Sequence, residues 1–356
     1  MTLTLFDNVL MATTLLCALV AGLVLGFSFV VMPGIAKLSD RDFLLRFKIM
    51  DGVTQNRQLV FMLVLLWALC ASPAAHAGYE TVVIDAGRGD VTLLLPEDYK
   101  TGAPLPLFLS LHGFGGDGNA FVQYWNTSGQ LDTQRFVVAA PDGPVDSRDK
   151  RFWNATDACC NKDGVATDDS GYLRTLVEAI EAKYPVDPLQ IHAFGYSNGG
   201  FMAHRMACDH ADKFASIVSV AGASFADPSS CKPSHPVHIL QVHGSDDAMI
   251  RYGGGALKNY DSDVGIRHPS ALQTVRIWVD SHDIHPVPEV GDVLDTAEDK
   301  TGPETTVLSF GKLGETPLTA TLWTIHGSGH VPAFSPEFSK HATAWMLGHA
   351  KAAAAP

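Results

Sequence analysis

The sequence predicts an α/β fold in which a mainly parallel central sheet of about eight strands is flanked by helices. Short apolar or β-branched segments alternate with helical patterns over residues 78–350, as in successive βαβ units. A G-x-S-x-G sequence, Gly195 to Gly199, stands directly between a strand pattern and a helix pattern. A third observation concerns the N-terminal end, where residues 9–33 and 58–71 are apolar and almost uncharged, which indicates a hydrophobic export or membrane region before the fold.

The second apolar run predicts a signal peptide. Leu59 to Ala71 is about as long as a signal-peptide core, and Ala75 and Ala77 form the A-x-A pattern of a cleavage site. Residues 50–77 are therefore interpreted as a signal-peptide-like segment, with cleavage after Ala77.

The first apolar run has two interpretations. Residues 1–49 are either a transmembrane segment, since residues 9–33 are long enough to span a bilayer and to tether the protein, or the product of a start codon assigned upstream of Met50. Parts of residues 26–56 resemble a family of small four-helix bacterial membrane proteins. Under both interpretations the following domain is exported, so that it is secreted or periplasmic.

The remaining elements follow in order along the chain. The strand candidates are Thr81 to Asp85, Val91 to Leu95, Leu105 to Leu111, Phe136 to Ala140, Ile191 to Phe194, Ser216 to Val220, Val237 to Val242 and Ala320 to Thr324. The helix candidates are residues 170–183, 198–208, 270–281 and 336–349. Residues 252–267 are predicted to be a loop, and residues 351–356 a disordered tail.

The serine within G-x-S-x-G is the candidate nucleophile. A sharp turn from strand to helix would project Ser197 from the edge of the sheet, and glycine at 195 and 199 would allow neighbouring segments to approach closely. This context predicts the α/β-hydrolase fold. Because a serine hydroxyl is a weak nucleophile, a histidine must accept its proton and a carboxylate must orient that histidine.

The acid and the histidine are expected later in the chain, in that order. The strand candidate ending at Val242 leads into an H-G-S-D-D sequence in which Asp247 is the chosen acid and Asp246 the alternative. The last strand candidate leads into a glycine-containing loop in which His330 is the chosen base. His326, in the same loop, is interpreted as a strand-end or surface residue.

An acyl oxyanion needs two backbone N–H donors, for which Asn198 and Phe114 are the candidates. Asn198 follows the nucleophile, and Phe114 lies in a glycine-rich loop after an early strand, where His112 is expected to hold the loop. A phosphate-binding loop is excluded because no Lys-Ser or Lys-Thr follows these glycines. Trp153 and Tyr196 are candidate substrate-binding residues, with core packing below the site as the alternative for Trp153.

Charge and cysteine content limit the partners. The chain carries 25 basic and 38 acidic residues, a net charge of −13, which argues against nucleic acid. No metal-ligand pattern, cofactor motif or protein partner is predicted. Four cysteines lie in the domain expected to be exported and allow three pairings; Cys208 with Cys231 is favoured, leaving Cys159 and Cys160 either bonded to each other or reduced.

Several blocks together resemble the polyhydroxybutyrate depolymerase-like esterases, a family that grades into feruloyl and acetyl xylan esterases. The blocks are H-G-F-G-G from His112, F-W-N-A-T-D-A-C-C from Phe152, G-Y-S-N-G-G-F-M from Gly195, H-G-S-D-D from His243, and Gly329-His330. The resemblance implies an α/β-hydrolase fold and a catalytic triad of Ser197, Asp247 and His330, without cofactor.

The same resemblance bears on the substrate. Relatives often have a cysteine after the helix that contains Trp278, where this chain has His282, so a disulfide at that place is not expected. No serine- or threonine-rich linker or binding module is recognised, which favours soluble or oligomeric esters over solid polymer. Short-chain hydroxyalkanoate esters are the first expectation, feruloyl or acetyl xylan esters the second, and a prolyl-oligopeptidase-type peptidase the third; a non-catalytic binding module is disfavoured because all triad positions are filled.

Overall fold

The computed structural model describes residues 79–97, 99, 103–126, 128–257, 267–311 and 318–352. The chain divides into two compact units, Met1–His76 and Ala77–Pro356, and every described residue belongs to the second. The interpretations of residues 1–49 and 50–77 therefore lie outside the described residues. Within the described ranges, no helix combines the length and apolar character needed to cross a membrane.

Twelve strands are present in the described part of the chain. They are β1 (Tyr79–Asp85), β2 (Asp90–Pro96), β3 (Leu105–Leu111), β4 (Val137–Ala140), β5 (Val186–Tyr196), β6 (Ser216–Val220), β7 (His238–Gly244), β8 (Gly255–Ala256), β9 (Arg267–His268), β10 (Glu289–Val290), β11 (Thr305–Gly311) and β12 (Thr319–Ile325). Ten of them form one sheet in the order β1-β2-β4-β3-β5-β6-β7-β12-β11-β10, while β8 and β9 pair separately.

The sheet is mixed rather than a simple parallel sheet of eight strands. In sheet order, the six central strands β4, β3, β5, β6, β7 and β12 are parallel to their neighbours in this group. The pairs that involve β1 or β2 at one edge, and β11 or β10 at the other, are antiparallel. All eight predicted strands are in this sheet, but the predicted number was too small. β11 was not predicted, although its sequence T-T-V-L-S-F-G contains strand-forming residues; its middle residues are half-buried. β8 likewise lies within a segment predicted to be a loop.

Six α-helices accompany the described strands. They are α1 (Gly118–Tyr124), α2 (Ser128–Gln134), α3 (Asp169–Lys183), α4 (Asn198–Asp209), α5 (Ala271–Ser281) and α6 (Pro336–Leu347). The last four match the predicted helices. α5 begins with a capping box, in which the Ser270 hydroxyl accepts from Gln273 N and the Gln273 side chain accepts from Ser270 N. The short helices α1 and α2 were not predicted.

Side-chain alternation along the strands separates two apolar cores. On β3, Leu107 and Leu109 belong to one buried cluster, and Phe108 between them belongs to the other. The first cluster contains buried residues of α3, α4 and α5, and the second contains those of α1, α2 and α6. Helices therefore cover both faces of the sheet, which produces the three layers typical of an α/β fold.

Two cysteine pairs are bonded in the described residues, Cys208 with Cys231 and Cys159 with Cys160. The first pair ties the end of α4 to the segment before β7, as favoured from the sequence. Near the C-terminus, Lys351 was predicted to belong to a disordered tail, but its backbone N–H donates to Leu189 O at 2.8 Å. Residues 353–356 lie outside the described residues.

Buried histidines predict a loss of stability in acid. His192 on β5 is fully buried, with Nδ1 2.7 Å from Ser216 Oγ and Nε2 2.8 Å from Gln190 Oε1. Burial, assisted by nearby histidines, lowers the pKa of His192 from 6.5 to about 3. The unfolded chain therefore binds a proton below pH 6.5 that the folded chain does not bind. From this group the free energy of unfolding is expected to fall by about 1.4 kcal/mol per pH unit as the pH drops from 6.5 toward 3.

The His192→Gln variant tests this expectation. Denaturant unfolding of the full chain between pH 7 and pH 4 should show a shallower pH dependence for the variant, by about 1.4 kcal/mol per pH unit. His326 is exposed, so His326→Gln serves as the control for the change of histidine to glutamine itself. Equal slopes for His192→Gln and the wild type would contradict the expectation.

Candidate active site

The turn between β5 and α4 holds the candidate nucleophile in an unusual backbone conformation. Ser197 has φ of +52° and ψ of −118°, which is costly for a residue with a side chain. Its N–H donates to Val220 O at 2.7 Å, which anchors the turn to the neighbouring strand β6. A Cβ atom on Gly195 would lie 2.0 Å from Gly199 O, and one on Gly199 would lie 2.0 Å from Leu111 O. Glycine is therefore required at both positions for the turn to close.

The structure brings the three predicted triad residues together at one edge of the sheet. His330 Nε2 lies 3.0 Å from Ser197 Oγ, and His330 Nδ1 lies 2.7 Å from Asp247 Oδ2. Ser197 follows β5, Asp247 follows β7 and His330 follows β12. These three strands are parallel members of the sheet, so their carboxyl ends meet at the same edge.

The buried carboxylate of Asp247 is held in its ionised form. Oδ1 accepts from the N–H groups of Met249 and Ile250 at 2.8 and 2.9 Å. Burial acts to raise the pKa of Asp247, but hydrogen bonds and charge interactions with His243 and His330 outweigh it, so the pKa lies well below its ordinary value. An ionised carboxylate accepts the Nδ1 proton of His330, which leaves Nε2 as the acceptor for Ser197.

Asp246, the alternative acid, occupies a different environment. Its side chain is exposed and its Oδ1 accepts from the Ser245 hydroxyl at 2.9 Å. The backbone around it joins the loop that carries the acid to the loop that carries the histidine: Ser245 N donates to Ile325 O at 3.0 Å, and Asp246 N donates to Ser328 O at 2.9 Å. A Cβ on Gly244 would lie 2.3 Å from Ser328 O, so the two loops are in direct backbone contact.

Two tyrosines hold the histidine loop from the other side. The Tyr196 hydroxyl donates to His330 O at 3.1 Å, and the Tyr124 hydroxyl donates to Pro332 O at 2.8 Å. Burial raises the pKa of both phenols, so both remain donors. Tyr196 was predicted to bind substrate, and the structure places it as a support of the histidine loop. Tyr124 was missed because it lies on α1, which no sequence pattern indicated.

The loop with the second candidate oxyanion donor lies against the nucleophile turn. A Cβ on Gly113 would be 2.9 Å from the Tyr196 ring. His112 holds this loop, as predicted: its Nδ1 donates to Gly113 O at 2.8 Å and its Nε2 accepts from Gly143 N at 3.0 Å. Burial lowers the pKa of His112, which keeps the ring neutral. The adjacent Phe114 is half-buried, with the Arg148 guanidinium 5.6 Å from the centre of its ring.

Asn198 and Trp153 connect the nucleophile helix to the segment before α3. Asn198 Oδ1 accepts from Trp153 N at 2.6 Å, and Asn198 Nδ2 donates to Trp153 O at 2.9 Å. Trp153 has no exposed surface, and its indole N–H donates to His112 O at 3.0 Å. This burial argues against contact of Trp153 with substrate and fits the alternative, core packing beneath the site. Through this bond Trp153 supports the loop that carries Phe114, the candidate oxyanion donor.

Among the described residues, no group of three or more His, Cys, Asp or Glu side chains is arranged to hold a metal ion. The side chains of Ser197, His330 and Asp247 place a hydroxyl, an imidazole and a carboxylate in one hydrogen-bonded line.

Comparison with known proteins gives a consistent result. The family model described as "Putative esterase" matches residues 87–285, more than half of the chain. The matched segment includes Ser197 and Asp247, and His330 lies beyond it.

Two curated relatives and one solved structure add detail. "Putative esterase NocK" of Nocardia uniformis subsp. tsuyamanensis is 29% identical over 42% of this chain and 42% of its own length. "Feruloyl esterase B" of Piromyces equi is 27% identical over 46% of this chain and 30% of its own length, so this chain spans less than half of either relative. The acetyl xylan esterase from Aspergillus awamori has a TM-score of 0.52 at 14% identity, over 75% of this chain and 99% of that one, and shows the same fold. The matched family model establishes that this chain belongs to the esterase family of the α/β-hydrolase type.

Proposed function

We propose that this protein is a serine carboxylic ester hydrolase that acts through an acyl-enzyme at Ser197. The observation that carries the proposal is the hydrogen-bonded line from Ser197 Oγ through His330 to Asp247 Oδ2, at 3.0 and 2.7 Å. The line begins at a strained strand-to-helix turn in a member of the esterase family. This combination supports nucleophilic catalysis by Ser197, with His330 as base and Asp247 as the group that orients it.

Acylation begins when Ser197 Oγ attacks the ester carbonyl carbon while His330 Nε2 accepts the hydroxyl proton. A new C–O bond forms and the carbonyl oxygen becomes an oxyanion, for which the N–H groups of Asn198 and Phe114 are the proposed donors. The intermediate then collapses, the bond to the alcohol oxygen breaks, and the alcohol leaves with the proton held by His330.

Deacylation repeats these steps with water. His330 removes a proton from the water, whose oxygen attacks the acyl carbon of the ester on Ser197. Collapse of the second intermediate breaks the C–O bond to Ser197, which recovers its proton from His330 as the carboxylic acid leaves. The ionised Asp247 stabilises the imidazolium in both halves of the cycle.

The proposed substrates are feruloyl or acetyl esters of the kind found on xylan. Hydroxyalkanoate esters or oligomers were the first expectation from the sequence, but the relatives bear the names feruloyl esterase and acetyl xylan esterase, which favour the second. Membership of an esterase family also favours esters over the peptide substrates of a prolyl-oligopeptidase-type enzyme. Two disulfides fit an oxidising compartment, which supports a secreted or periplasmic enzyme.

A substrate panel tests the proposal. The full chain is expected to hydrolyse methyl ferulate, acetylated xylan or both with kcat/KM at least about tenfold above that for 3-hydroxybutyrate oligomers, a difference that one pocket contact can supply. Each substrate is measured beside a blank of heat-unfolded protein. A preference for hydroxybutyrate oligomers would restore the first expectation, and cleavage of peptide substrates without ester hydrolysis would contradict the esterase.

A further inference from the structure

A line of four buried polar side chains lies under the loop that carries Asp247. Trp278 Nε1 is 3.0 Å from His204 Nδ1, His204 Nε2 is 3.0 Å from Gln241 Oε1, and Gln241 Nε2 is 3.2 Å from His243 Nδ1. All four side chains are almost completely buried. Burying a polar group without a hydrogen-bond partner costs free energy of folding. The pairing of these four side chains is therefore needed for their burial in the core.

The direction of every hydrogen bond in this line follows from one fixed donor. An indole nitrogen only donates, so His204 Nδ1 must accept from Trp278 and the proton of His204 must be on Nε2. His204 then donates to the oxygen of Gln241, which turns the amide nitrogen toward His243. Burial lowers the pKa of His204 to about 4, so the ring stays neutral near neutral pH, as this direction requires.

The line ends at the acid. Because His243 Nδ1 accepts from Gln241, the proton of His243 is on Nε2, which lies 2.7 Å from Ile250 O and 3.4 Å from Asp247 Oδ2. Ile250 N in turn donates to Asp247 Oδ1. His243 thus holds Ile250, at the far end of the loop that carries Asp247. Its Nε2 also lies near the Asp247 carboxylate.

Gln241 also reaches the nucleophile side of the site. The second hydrogen of its amide is donated to Gly222 O at 2.9 Å. A Cβ on Gly222 would lie 2.7 Å from the carbonyl carbon of Gly200, in the first turn of α4. One amide therefore connects the segment packed against the nucleophile helix with the histidine that supports the acid.

We propose that Gln241 is a positioning residue for the reaction: its hydrogen bond to His243 Nδ1 holds that ring, through which it keeps Asp247 in place for its hydrogen bond to His330. The proposal rests on the proposed function, since it describes how that site is kept in order. A structural role alone would require only that the buried groups be paired. The positioning role additionally requires that the strength of the Asp247–His330 hydrogen bond depend on Gln241.

The Gln241→Met variant of the full chain tests the proposal, because methionine has a similar length and makes none of the three amide contacts. We expect kcat for an ester substrate to fall about tenfold with KM unchanged, the lower end of the effect that loss of outer hydrogen-bond partners has at metal sites. We also expect the downfield ¹H NMR resonance of the proton between His330 and Asp247 to move or disappear. The control is His192→Gln, which alters a buried histidine bonded to Gln190 and Ser216, outside this line; it should change stability alone.

The outcomes separate the alternatives. Lower stability of Gln241→Met with wild-type kcat and an unmoved resonance would overturn the positioning role. If Gln241→Met does not fold, Trp278→Phe removes the first donor of the line while keeping a ring. A lower kcat and a moved resonance are then expected in Trp278→Phe, and their absence would overturn the positioning role. If the wild type hydrolyses no ester, the proposed function fails, and the resonance compared between wild type and variant decides the positioning role by itself.

Discussion

Replacement of Ser197 by alanine is expected to lower kcat for ester hydrolysis by about 10⁶-fold, the size of effect seen when a serine protease loses its nucleophile. The hydroxyl is the atom that forms the acyl-enzyme, and its 3.0 Å contact with His330 Nε2 provides the proton acceptor. The measurement is the rate of hydrolysis of p-nitrophenyl acetate, together with mass-spectrometric detection of an acyl adduct on the wild type.

The matched control is Ser339→Ala. Ser339 is buried, with 1% of its surface exposed against 9% for Ser197, and its hydroxyl donates to Trp125 O, away from the triad. Its loss is expected to reduce stability and leave kcat within about twofold, as for other single changes outside an active site. Retention of activity by Ser197→Ala, with the control also active, would show that hydrolysis takes place without this nucleophile.

Replacement of Asp247 by asparagine is expected to lower kcat by about 10⁴-fold, as the corresponding change does in the serine proteases. The amide nitrogen would donate to His330 Nδ1, so the ring proton would be on Nε2. A protonated Nε2 cannot accept the proton of the Ser197 hydroxyl. The variant is expected to fold, because the asparagine oxygen can still accept from the N–H groups of Met249 and Ile250.

The neighbouring Asp246→Asn variant is the control. Its carboxylate is exposed and accepts from Ser245, so loss of its charge is expected to change kcat by less than about twofold. Steady-state kinetics of both variants on one substrate give the answer. A severe loss of activity in Asp246→Asn, with near wild-type activity in Asp247→Asn, would show that Asp246 is the acid and that Asp247 is not.

The sequence predicted the parts of the protein that are encoded locally. The strand, the Ser197 turn and the following helix occupy one continuous segment, in which glycine spacing and apolar periodicity report the backbone directly. The eight predicted strands were found for the same reason, because each is a compact apolar run. These local patterns and motifs were enough to predict the α/β architecture and the esterase family.

The remaining features depend on contacts between distant segments. Nothing in H-G-S-D-D separates Asp246 from Asp247, and the choice emerges only when β12 delivers His330 beside one of them. The hydrogen bonds of His204 depend on Gln241 and Trp278, which lie on two other elements. Likewise, the place of β11 in the sheet depends on β12, which offers it a pairing edge.

The backbone contacts between the acid loop and the histidine loop have a consequence for protein engineering. These loops are far apart in the sequence, yet Ser245 N donates to Ile325 O and Asp246 N donates to Ser328 O, while Ser197 follows β5, two positions from β7 in the sheet. A chimera that took one loop from this enzyme and the other from a relative would keep both contacts only if the two loop backbones matched. The two loops are therefore a single cassette that must be grafted together, and recombination between esterases should favour crossovers that exchange both or neither.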